Sequence, residues 1–182
     1  ACTTTPAPIS SSADPTAAPT GATDGSSPAT GPSAFPPCDV VAGALSALLD
    51  GLDYDADLSA SQTADEAYAQ RVCVYTTPAG DAQIGVTFAA IPFQQSELEA
   101  YRTLPNALAD DRLAERGAVL QTFEAGDGDD GHLDSALYLF DEQVSVTIQG
   151  YAAGGADTTT TLPGLTLNAA TDAAFAARAL VD

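Results

Sequence analysis

Three cysteines, Cys2, Cys38 and Cys73, constrain this chain more than any other feature. An odd number leaves one over once a pair forms. Cys38 and Cys73 each open an apolar segment, whereas Cys2 lies alone ahead of a tail that cannot build a core. Residues 3–36 hold 13 Ser or Thr among abundant Pro, Ala and Gly, with Asp14 and Asp24 as their only charges. Ile9 is the sole aliphatic side chain larger than Ala before Phe35. So little apolar surface does not offset the entropy of ordering, and residues 1–36 are expected to form a disordered tether. Its root-mean-square span is about 30–35 Å. A Cys38–Cys73 disulfide suits an exported domain. It would enclose a loop worth about 3–4 kcal/mol on the chain-entropy model. The alternative, three unrelated thiols in a cytosolic chain, leaves the tail unexplained.

Residues 37–182 are expected to form a single α+β domain. Val41, Leu45, Leu48, Leu49 and Leu52 recur on one helical face from Cys38 to Leu52. Arg71 to Thr77 alternates as a strand, Pro78-Ala79-Gly80-Asp81 turns, and Gln83 to Ile91 reads as the hairpin partner. Ser96-Glu97-Leu98-Glu99 has a capping-box pattern opening a helix that Pro105 should interrupt. Three strands follow in the pattern, Ala118 to Ala125, Ser135 to Phe140 and Gln143 to Tyr151. Ala152 to Asn168 reads as a long loop with a short strand at Leu165 to Leu167. Thr171-Asp172 should cap a final helix. The expected architecture is an antiparallel sheet of about five strands with helices on one face.

Charge excludes two partner classes. With 25 acids against five bases, all Arg, the net charge is -20. Nucleic-acid binding depends on Lys and Arg displacing counterions, so no nucleic-acid partner is expected. Electrostatic docking on anionic lipid is disfavoured for the same reason. Absence of Lys beside so much Ala, Asp and Gly points to a GC-rich genome ahead of a halophile. No apolar run is long enough to span a bilayer, so any attachment must be covalent.

Ala1-Cys2-Thr3 resembles the end of a bacterial lipobox, in which the cysteine receives a diacylglyceryl group. Taken with the tether, Pro37-Cys38-Asp39, Val72-Cys73-Val74-Tyr75 and Phe175-Ala176-Ala177-Arg178-Ala179-Leu180, the layout is similar to small actinobacterial lipoproteins of uncharacterised function. In that group an aromatic often follows the second cysteine directly, whereas Val74 intervenes here. The resemblance implies a lipid anchor at Cys2 and a location on the extracytoplasmic face of the cell membrane. It implies no chemistry.

Candidate sites are few. Asp53, Asp55 and Asp57, followed by Ser59 and Ser61, resemble an EF-hand calcium loop. The Gly needed at position 6 is Leu58, and the bidentate Glu of position 12 is Ala64. Asp127-Gly128-Asp129-Asp130-Gly131, with Asp134, is a second acidic cluster in a flexible pattern. His132 is the only histidine, too few for most zinc sites. Neither a nucleophile elbow nor an identifiable acid–base pair is present. The expectation is a non-enzymatic, lipid-anchored binding or accessory domain of the bacterial envelope, without a cofactor, whose partner is an envelope protein or a small ligand. One alternative is a binder of a small apolar molecule or lipid, held between sheet and helices. A lesser one is a hydrolase using acidic residues.

Overall fold

The computed structural model describes residues 35–182 except 65–68 and 129; the side chains of residues 61–64 and 155 also lie outside it. Cys2, the tether up to residue 34, Asp65, Glu66, Tyr68, Asp129 and the side chain of Ser61 therefore lie outside the described residues.

Alternating apolar positions build an antiparallel sheet. Its strands are β1 (Asp53–Asp55), β2 (Gln70–Thr76), β3 (Ala82–Ala89), β4 (Val119–Thr122), β5 (Ala136–Phe140) and β6 (Ser145–Ala152), in the order β1-β2-β3-β6-β5-β4. The α+β class and antiparallel sheet expected from the sequence are present. A sixth strand, β1, adds to the expected five and pairs with Val74, Tyr75 and Thr76. Its three residues form too short a run to read as a strand. Helices are α1 (Cys38–Ala44), α2 (Ala56–Ala64), α3 (Gln95–Tyr101), α4 (Arg112–Arg116), α5 (Thr158–Thr161) and α6 (Leu167–Ala179). The apolar face expected to run as one helix to Leu52 is split, since α1 ends at Ala44 and tight turns carry Leu45, Leu48 and Leu49 into the core.

Side chains alternate across each strand, so the sheet has two distinct faces. Cys73, Tyr75, Ile84, Val86, Phe88, Leu120, Leu137, Leu139, Val146 and Ile148 project to one face and are buried. Helices α1 and α6 pack there. Ala170, Ala173, Ala174 and Ala177 give α6 a small-residue face that comes close to the strands. The Cys38–Cys73 disulfide ties α1 to β2 with a Cα–Cα distance of 5.4 Å. Phe35, at the start of the described chain, stacks on Phe88 with ring centroids 5.9 Å apart.

Three local expectations shift. The capping box at the start of α3 lies one step earlier, with Gln94 N donating to Glu97 Oε2 at 2.7 Å. The segment read as a long loop carries α5, and its expected short strand reduces to one bridge between Thr166 and His132. Thr166, whose hydroxyl accepts from Ala169 N at 3.1 Å, caps α6 in place of Thr171. On the second face of the sheet, α3 covers one corner, where Leu98 packs on Val119 and Phe140.

Candidate functional site

Beside that corner, part of the second face forms a trough. Strand register lines its side chains in rows. Gln121, Tyr138, Thr147, Thr87 and Val72 are successive cross-strand partners from β4 to β2. The neighbouring row runs Val119, Phe140, Ser145, Ala89 and Gln70. Short side chains in the middle strands make the floor low, and aromatic rings make walls. Phe93 and Tyr101 meet edge to face with centroids 5.9 Å apart, and Phe93 lies 4.8 Å from Phe140. Phe123, 60% exposed, stands on the rim. The open cavity has a volume of about 510 Å³.

Among the described residues, no charged side chain lines it. From β2 to β6 the rows on this face are likewise free of Asp, Glu and Arg, because every strand position there holds an apolar, hydroxyl or amide residue. Burial holds the Tyr138 hydroxyl protonated above the usual tyrosine range. Gln121 Oε1 is buried with no hydrogen-bond partner among the described residues. A buried polar atom left so costs about 1–3 kcal/mol.

Two other clefts contain charged groups paired within the protein. One, of about 630 Å³, lies between Arg102, Leu108, Leu113 and Val119. Its Asp110 carboxylate is engaged by Arg112 at 2.6 Å, and that hydrogen bond holds it below the usual carboxylate range. A polar cleft of about 410 Å³ contains Arg116, Asp141, Arg178 and Asp182, which pair with one another. A pocket of about 110 Å³ reaches Ile84 from beneath Leu162 and Leu165. Drug-sized ligands need about 300 Å³ or more, so this pocket does not hold one.

The sequence candidates fall elsewhere. Asp53 and Asp55 lie in β1 and Asp57 in α2, so the suspected calcium loop is a strand–helix junction. Asp55 Oδ1 accepts from Leu58 N at 2.9 Å and so caps α2. Ser59 donates to the Asp55 carbonyl and accepts from Val74 N at 2.9 Å, tying α2 to the sheet. In the second acidic cluster, Asp127 accepts from Asp134 N and from the Ser135 hydroxyl, and Asp130 accepts from His132 N. These carboxylates hold a loop together. Among the described residues no three His, Cys, Asp or Glu side chains converge as a metal site. His132 is buried, with Nε2 lacking a partner among the described residues.

Of the tyrosines that could line a groove on the sheet, Tyr101 and Tyr138 do line the trough, but no segment alone marks it. Its signal, uncharged alternate positions on five strands, becomes meaningful once register aligns them. Compared with protein-family models, curated proteins and solved structures, the chain matches none. Function is therefore argued from the site alone.

Proposed function

We propose that this chain is a non-enzymatic binding domain of the bacterial envelope, anchored by a lipid on Cys2, which holds its ligand or partner in the open trough of the sheet. The observation carrying the binding half is the uncharged trough itself. Every face of the sheet must be buried or wetted, and this one carries aromatic rings where a merely solvated face of an acidic protein would carry carboxylates. The anchoring half rests on the lipobox-like Ala1-Cys2 and the tether-like composition behind it. A hydrolase has less support, because the acids with displaced pKa values, Asp110, Asp157 and Asp182, are held by Arg112, Thr159 and Arg116 on the surface.

Both halves can be tested in one bacterial host. A photo-crosslinking residue replaces Tyr138 inside the trough or Val40 on the exposed side of α1. Adducts are expected from position 138 and not from position 40, in the membrane fraction. Cys2→Ala should move the chain to the soluble fraction and abolish palmitate incorporation. Equal adducts from both positions would refute the trough. Unchanged membrane partition and labelling in Cys2→Ala would refute the anchor.

A further inference from the structure

We infer that the trough takes an uncharged carbohydrate, a short oligosaccharide lying across the Gln121–Tyr138–Thr147–Thr87 row. This inference rests on the trough being the binding face and names its ligand class.

Charge narrows the class first. An anionic ligand would approach a chain of net charge -20 and meet no Arg in the cavity. A cation would find no carboxylate there among the described residues to replace its water. The ligand is therefore neutral.

Polarity narrows it again. A hydrocarbon chain would suit Phe93, Phe123 and Tyr101, yet it would strand the amide of Gln121 and the hydroxyls of Thr87 and Thr147. Gln121 Oε1 already lacks a partner among the described residues. Sites built to hydrogen-bond a hydroxyl reject the analogue without one. A sugar ring presents both surfaces needed, C–H faces for aromatic rings and a rim of hydroxyls for amides.

Geometry supplies the length. Between Gln121 on β4 and Thr87 on β3 lie β5 and β6, three inter-strand steps that span about 14 Å. That exceeds one sugar ring and suits a short chain of them. An extended peptide is less suited, because a sheet face offers no unpaired strand edge for it to join.

The test uses the isotopically labelled full-length chain and three neutral probes, maltohexaose, cellohexaose and mannohexaose, each titrated to about 10 mM by heteronuclear NMR. At least one should give saturable shifts at the Gln121 side-chain amide and the Thr147 backbone. Tyr138→Ala should weaken that affinity about tenfold, Tyr138→Phe should retain most of it, and Tyr151→Ala, on the same face outside the cavity, should leave it unchanged. Should Tyr138→Ala fail to fold, Gln121→Ala serves the same purpose. Absence of shifts with all three sugars would overturn the inference, as would shifts indifferent to Tyr138 and Gln121. Saturation of the trough by dodecyl maltoside through its alkyl chain, or by a peptide of residues 3–34, with no response to the sugars, would overturn the carbohydrate while leaving the trough as the binding face. Loss of the specific crosslink at position 138 would instead bring down the parent reading.

Discussion

Tyr75 joins the disulfide to the sheet. Its hydroxyl donates to the Cys38 carbonyl at 2.7 Å, from a ring that is 1% exposed. Burial first, then the nearby Tyr54 and Asp39, hold it protonated well above the tyrosine value of 10.0. In the unfolded chain the same phenol ionises near 10. The folded state thus binds the proton more tightly, and the stability this contributes is complete below about pH 10 and lost as pH rises beyond it. Tyr75→Phe should cost about 1–2 kcal/mol at pH 8, since the Cys38 carbonyl loses its donor inside the core. It should also flatten the fall in stability between pH 9 and 11 seen by denaturant melts. An alkaline slope identical to that of the parent chain would show that Tyr75 does not govern it.

At the scale of elements, Leu165 shows what holds the segment after β6 in place. Gly150 faces the core between Ile84 and Leu165, and a Cβ added there would lie 2.2 Å from Leu165 Cδ2. The absent side chain leaves room for Leu165 to plug the sheet before α6 begins. Gly150→Ala should destabilise the fold by about 1–3 kcal/mol through overpacking. Adding Leu165→Ala to it should cost much less than the sum of the two single changes, because the smaller residue vacates the space. Additive losses in urea melts would sink this account. The same junction explains what could be read from the sequence. Residues 152–168, rich in Gly and Thr, lack any periodicity, and their order comes from Leu162 and Leu165 folding back onto β6 at Gly150. The long strands β3 and β6, which largely alternate, and β2, a run of Val, Cys and Tyr, were legible because their pattern is local. β1 was hidden because its acids, Asp53 and Asp55, lie on the same edge strand and neither is buried, so no alternation marks them. The disulfide was legible from cysteine arithmetic. The trough was not, since it exists only once five strands are in register.

The whole molecule carries its charge unevenly. Arg112, Arg116 and Arg178 are committed to Asp110, Asp141, Asp172 and Asp182, and Arg178 and Asp141 form their pair in the interior. Five Arg cannot neutralise 25 acids, so the surplus carboxylates repel one another across the surface. Two salt effects then oppose each other. Screening weakens exposed pairs such as Arg112–Asp172, each worth about 0–1 kcal/mol, and it also relieves the repulsion of a net charge of -20. Repulsion involves many more charges, so it should win at pH 7, and raising the salt from about 10 mM to 500 mM should increase Tm. Relief of about 1 kcal/mol would raise Tm by roughly 2–4 °C for a chain of this size. Near the isoelectric point of about 4.1 the surplus is gone and the gain should vanish or reverse. Further acidification removes a different contribution. Asp110 and Asp182, held low by hydrogen bonds from Arg112 and Arg116, and Asp157, held low by Thr159, contribute stability present above the usual carboxylate value and lost as pH falls through their depressed values. Calorimetry at two salt concentrations and three pH values separates these effects. A Tm that falls with salt at pH 7 would mean that the arginine pairs outweigh the acidic surplus.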